Sequence, residues 1–237
     1  MKGFIILAFV CLSFRAGAVQ SGFVFPAIAG EGLTLLNFVP DGWMLIDSAT
    51  GDLNKDGKPD LACDLEYHDS VDEKTINEQH EDTWHHKPRM LLVLLRDSIS
   101  EGYYLSAQNN TIILRADEGG ILGDPYGSLE INEGILEIGF YGGSNWRWTV
   151  DYKFRYQSRK WVLIGADKSS FQIITGESSS ESYNMLTHKA KITTEDNIID
   201  ESAKPKVKWL NIRSKQTLTL DNFKGDGTVE ILKGKWL

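Results

Sequence analysis

Oxygen-bearing side chains recur at alternating positions in the stretch Gly51-Asp52-Leu53-Asn54-Lys55-Asp56-Gly57-Lys58-Pro59-Asp60-Leu61. Asp52, Asn54, Asp56 and Asp60 take the first, third, fifth and ninth places, and Gly57 takes the sixth. Alternate residues of a tightly turning loop can point inward together, and a calcium ion takes about six to eight oxygens at roughly 2.3–2.6 Å. A glycine at the sixth place permits the sharp turn that a side chain would obstruct. Ca²⁺ is the expected cofactor, with Asp52, Asn54, Asp56 and Asp60 as side-chain ligands and the Lys58 carbonyl as a further donor. The twelfth place, where an EF-hand carries a bidentate glutamate, is Cys63, and strand-like residues follow the loop. This is therefore not an EF-hand.

Three further groups could do chemistry. His68, His80, His85 and His86 lie in one acidic stretch, where imidazoles and carboxylates could bind zinc or copper, although their spacing fits no established zinc pattern. Asp124, with Asp117 and Glu118 nearby, could supply a carboxylate pair for acid–base work. Cys63 stands on an expected strand without an assigned histidine partner, so it reads as a buried, inert thiol. No Gly-x-Ser-x-Gly elbow, His-Glu-x-x-His helix or phosphate-cradling loop occurs.

The elements that must position these groups read as strands. Trp43–Ile46 precedes the acidic loop and Leu61–Leu65 follows it. The run Arg89 to Arg96 is almost continuously apolar, as suits a strand buried on both faces. From Asn145 to Gln157, Trp146, Trp148, Val150, Tyr152, Phe154 and Tyr156 alternate strictly with polar residues, which predicts one buried and one wet face. Gly134–Phe140 and Lys160–Ala166 flank it as a meander. Tyr103–Ala107 and Thr111–Arg115 read as a hairpin, Ser178–Ser180 as a flexible loop, and Tyr183–Thr193 and Lys206–Ile212 as further strands. Residues 67–88 are polar and read as one long surface loop. The expected fold is all-β: an antiparallel meander, sandwich-like or an incomplete propeller, with the calcium loop between two early strands.

Composition bounds where such a protein works. Of 237 residues, the first 18 read as a cleaved signal peptide: Lys2, an apolar run Phe4–Phe14, and Ala16-Gly17-Ala18 for the peptidase. That leaves a single β-rich domain over residues 19–237, secreted or periplasmic, with Cys63 as its one cysteine. The chain carries 33 acidic against 25 basic residues, a formal charge of −8, and loss of Lys2 and Arg15 makes the mature form more acidic still. Such a balance argues against nucleic acid as a partner, and no later run is apolar enough for stable membrane insertion.

The loop Gly51–Leu61 resembles the calcium loop of FG-GAP or VCBS-type repeats, found in integrin-like β-propellers and in many bacterial secreted proteins. The resemblance implies a structural metal on a loop joining adjacent strands, with Asp52, Asn54, Asp56 and Asp60 as ligands. The region around Gly123-Asp124-Pro125 and Phe140–Trp148 is similar to bacterial secreted proteins of unassigned activity that share the loop. A non-enzymatic, calcium-stabilised protein that binds an unidentified protein or glycan is the leading expectation. It would contact that partner through the Gly119–Tyr126 turn, the Gly142–Trp148 region, or both. The alternatives are a hydrolase of cell-wall or glycan substrates that uses Asp124 or Glu118, and an immunity-type inhibitor of a toxin.

Overall fold

A computed structural model describes residues 18–21, 23–76, 81–97, 99–198, 204–213 and 216–237. Residues 1–17 of the expected leader and His80 lie outside them. In chain order the strands are β1 (Ala18–Ser21), β2 (Glu31–Gly32), β3 (Trp43–Gly51), β4 (Asp60–Tyr67), β5 (Val71–Ile76) and β6 (Glu81–His86). β7 (Arg89–Arg96), β8 (Tyr103–Asn109), β9 (Tyr126–Asn132), β10 (Ile135–Gly143), β11 (Trp146–Gln157) and β12 (Lys160–Gln172) follow. β13 (Ser178–Asn184), β14 (Lys189–Glu195), β15 (Lys206–Asn211), β16 (Glu230–Leu232) and β17 (Lys235–Trp236) complete the series. The helical turns among the described residues, Leu35–Phe38 and Gly120–Leu122, are both of the 3-10 type.

The fold is all-β and antiparallel, as the alternating patterns predict. A five-stranded sheet has the order β2-β8-β7-β4-β3, and a seven-stranded meander runs β15-β14-β13-β12-β11-β10-β9. Among the described residues no sheet closes on itself, and the arrangement is sandwich-like. One core joins the inner faces of both sheets: Ala62, Leu91, Val93 and Leu95 pack with Leu136, Ile138, Tyr152, Phe154 and Leu163. The opposite face of the five-stranded sheet is also covered. Cys63, Leu65, Met90, Leu92 and Leu94 pack there against Phe38, Trp43 and the preceding segment with Phe23 and Phe25. Met90 to Leu95 are therefore buried without exception, which is why β7 shows no alternation. β11 shows it clearly, with Tyr152 and Phe154 at the centre of the core and Trp146 exposed at the rim.

Some local readings need correction. The stretch 67–88 is not a loop: β5 and β6 pair as a hairpin whose outer partner is β1. Backbone ladders hold these strands, and no apolar period marks them. Ser178–Ser180 is the start of β13, held between β12 and β14. Tyr183–Thr193 is two strands joined at Asn184–Lys189. Thr111–Arg115 forms no strand. The Asn109 side chain captures the Thr111 and Ile112 amides at 2.9 and 2.8 Å and turns the chain, while Ile112 and Ile113 plug the core from a coil. Both donors of Asn109 go to the Leu220 and Phe223 carbonyls, so the formal glycosylation sequon Asn109-Asn110-Thr111 has its asparagine buried.

Candidate functional site

The acidic loop joins β3 to β4 where the two sheets meet. Leu53 anchors it in the core, and a side chain at Gly134 in the β9–β10 turn would press on the Asp52 carbonyl. Gly57 has φ +84°, the left-handed turn expected of the sixth place. Asp52 accepts from the Asp56 and Gly57 amides at 3.1 and 2.9 Å. Asn54 Oδ1 accepts from the Asp56 amide at 2.9 Å, and Asp56 Oδ1 from the Lys58 amide at 2.9 Å. Asn54 Nδ2 reaches Asp56 Oδ2 at 3.1 Å. Asp52, Asn54 and Asp56 thus converge inside the turn.

Asp60 is differently used. It is fully buried, and its Oδ2 accepts from the Leu53 and Asn54 amides at 2.8 and 3.3 Å while Oδ1 accepts from the Arg96 amide at 2.8 Å. Burial raises its pKa despite these amides, and Asp56 adds repulsion. Its carboxylate ties the loop to the start of β4 and the end of β7. Among the described residues no three His, Cys, Asp or Glu side chains are grouped to hold a metal ion. The side-chain oxygens of Asp52, Asn54 and Asp56 are hard donors gathered at one turn, with Asp60 as the frame behind them.

The other candidates are distributed. His68 Nδ1 lies 2.8 Å from the Gly42 carbonyl, His85 Nδ1 lies 2.8 Å from Asp72, and His86 Nδ1 lies 3.6 Å from Asp117. Each imidazole thus has its own neighbour. Asp124 is gripped by both terminal nitrogens of Arg89, at 2.8 and 2.6 Å, which holds its carboxyl below the usual range. Glu118 caps the Arg115 amide at 2.5 Å. Burial pushes the Cys63 thiol up to about 12. A lowered carboxylate is a poor proton donor at neutral pH, and a raised thiol is a poor nucleophile.

The structure brings together two regions that sequence separates. Gly143 donates to the Gly119 carbonyl at 2.8 Å, and Tyr141 donates to that of Pro125 at 2.9 Å. The Gly119–Tyr126 turn and the β10–β11 hairpin therefore share one end of the seven-stranded sheet. The β12–β13 turn joins them through Ile173, whose amide donates to the Asn145 carbonyl at 3.0 Å. Ile121, Leu122, Tyr141, Trp146, Ile173 and Ile174 all stand exposed there, Ile174 at 74% and Trp146 at 42%. The acidic loop lies at the opposite end, beside the β9–β10 turn. A cleft of about 250 Å³ near β15, lined by Gln157, Met185, His188 and Ile212, holds no carboxylate pair.

Sequence reasoning missed one interior polar network. Arg89, at 4% exposure, donates to Glu66 through Nε at 2.8 Å, to the Leu114 carbonyl at 2.9 Å and to Asp124. Nearby, Asp64 of β4 is fully buried opposite Asp47 of β3, and the Tyr126 hydroxyl donates to Asp47 at 3.1 Å. The available signal was a carboxylate inside the apolar run Leu61-Ala62-Cys63-Asp64-Leu65, where charge is seldom buried unpaired. No family model, curated protein or solved structure matches the chain.

Proposed function

We propose that the chain is an exported, calcium-stabilised, non-enzymatic binding protein that holds its partner, a protein or glycan, at the loop end of the seven-stranded sheet. The exposed rim of Ile121, Leu122, Tyr141, Trp146, Ile173 and Ile174 carries this reading. Exposed apolar side chains gathered at one end of a sheet, here Trp146 on the face of Tyr152 and Tyr141 on the opposite one, favour a contact that wraps the rim, because water is better displaced from them than ordered around them. The aliphatic members favour a protein surface over a sugar ring, which would stack on aromatic faces alone. Loops set on a rigid sheet suit recognition, since they vary without disturbing the core. A photo-crosslinker at Ile174 should capture a partner from extracts of the producing cells, and one at Thr187, at the far end of the sheet, should not. Equal labelling at both positions, or at neither, would remove the reading.

Calcium in this proposal is structural. Held by Asp52, Asn54, Asp56 and the Lys58 carbonyl, it would neutralise the facing carboxylates and fix the turn that joins β3 to β4. At about 100 times its Kd, a ligand that binds only the folded state stabilises it by about 2.7 kcal/mol. For a chain of this length that corresponds to roughly 5–10 °C in Tm. The rise should be selective for Ca²⁺ over Mg²⁺ and absent in Asp56→Ala. A thermal melt of metal-free protein with each ion added checks both points.

A further inference from the structure

On β4, Ala62, Asp64 and Glu66 share the face turned toward the seven-stranded sheet. Asp64 pairs across the ladder with Asp47, so two carboxylates stand directly opposite on one face. Like charges in that position repel. The ladder shifts register between Leu45 and Asp47, and this bulge sets Asp47 opposite Asp64. From the other sheet, the Tyr126 ring brings its hydroxyl to Asp47 Oδ2 at 3.1 Å. Neither oxygen of Asp64 has a hydrogen-bond partner among the described residues, although the side chain is fully buried. An ionised carboxylate in that state would be costly, whereas a protonated one supplies its own donor.

We propose that Asp64, opposite Asp47 and beside Tyr126, is an interior proton site, in which one proton held on Asp64 lets the five-stranded sheet close on the seven-stranded sheet. The proton sits on Asp64 and satisfies the interior carboxyl, while Asp47 is half-buried and accepts from Tyr126 and from the Ser48 amide at 2.7 Å. The groups facing Asp64 are Asp47 from β3, Arg89 from β7 and Tyr126 from β9, with Glu66 further along its own strand. Burial raises the Asp64 pKa from 3.8 to about 7, Asp47 adds to the rise, and Tyr126 and Arg89 oppose it. Burial and the same two carboxylates push the Tyr126 phenol up, so it remains a donor. A metal ion fits less well. Two carboxylates and a phenol fall short of the six to eight oxygens, roughly, that calcium takes, and Arg89 already adds positive charge.

The folded chain keeps a proton that the unfolded chain releases between these two pKa values. The site's contribution to stability is therefore greatest at acid pH, declines as pH rises from the unfolded value to the folded one, and levels off above about 7. Urea denaturation of the full chain in chelator, wild type against Asp64→Asn, reads this directly. Between about pH 5 and 6.5 the wild-type unfolding constant should rise relative to Asp64→Asn by about tenfold per pH unit. Asp47→Asn should move the wild-type transition to lower pH. Parallel profiles for wild type and Asp64→Asn would overturn the proposal, as would added Ca²⁺ or Mg²⁺ abolishing the slope, which would make the site a metal site. Should Asp64→Asn fail to fold, infrared spectra of the wild type decide the matter. A protonated carboxyl band present at pH 6 and gone at pH 8.5 is expected, and no such band at pH 6 overturns the site.

Discussion

Asp60→Ala is expected to destabilise the protein by about 4 kcal/mol even in chelator, where no calcium can contribute. Its carboxylate satisfies the Leu53, Asn54 and Arg96 amides, and it is wholly shielded from water. Alanine would leave these donors unpaired at the junction of β3, β4 and β7. Each buried donor left without a partner costs about 1–3 kcal/mol, and removing a buried charge offsets part of the sum. Asn, which keeps one acceptor oxygen, should cost roughly half as much. The contrast with Asp56→Ala is diagnostic, since Asp56 is exposed and its loss should erase the calcium response with little effect on the metal-free protein. Chemical denaturation of both variants in chelator measures the difference. Equal stabilities for Asp60→Ala and wild type would mean that Asp60 serves only as a ligand, not as the frame of the loop.

Arg89→Leu should be nearly as damaging, with a loss of about 3–5 kcal/mol. The guanidinium is buried and shared between Glu66, the Leu114 carbonyl and Asp124. Without it Glu66 keeps, among the described residues, only Lys87 at 3.7 Å, and the turn leading into β9 loses its tie to β7. A typical domain has only about 5–15 kcal/mol of stability in total, so either substitution consumes a large share. Arg89→Lys should rescue little, because an ammonium cannot reproduce the planar fork that grips Asp124 while also reaching Glu66. Arg89→Leu combined with Glu66→Leu should be milder than Arg89→Leu alone, since no charge is then stranded. Asp124, partly open to water, contributes on the acid side. Its folded pKa lies below 3.8, so its stabilisation is complete above that value and lost as pH falls further. Urea midpoints of the single and double variants test the set.

Much of the fold was legible because its strands bury one face. Trp146 to Gln157 alternates for its whole length, and Arg89 to Arg96 lacks alternation because two cores press on it. The 67–88 stretch was illegible for the opposite reason. A polar hairpin such as β5–β6 is held by backbone pairing, which any side chain can accompany, so composition carries no period to read. Thr111–Arg115 failed because Ile112 and Ile113 bury from a coil that the Asn109 side chain shapes, and a single side chain caps a turn without a repeating signature.

The candidate sites divide along the same physical line. Sequence by itself determined the oxygen spacing of Asp52, Asn54, Asp56 and Asp60, the turn at Gly57, and the β character of the strands on either side, because neighbours along the chain set local geometry. Only the tertiary structure decided that Asp60 faces three backbone amides, that the Gly119–Tyr126 turn meets the β10–β11 hairpin in an apolar rim, and that Asp64 stands buried opposite Asp47 under Tyr126. Those outcomes depend on which strands pair and which sheet covers them. Pairing is fixed by long-range burial of apolar faces, and a polar residue is carried to its partner by the register that burial selects.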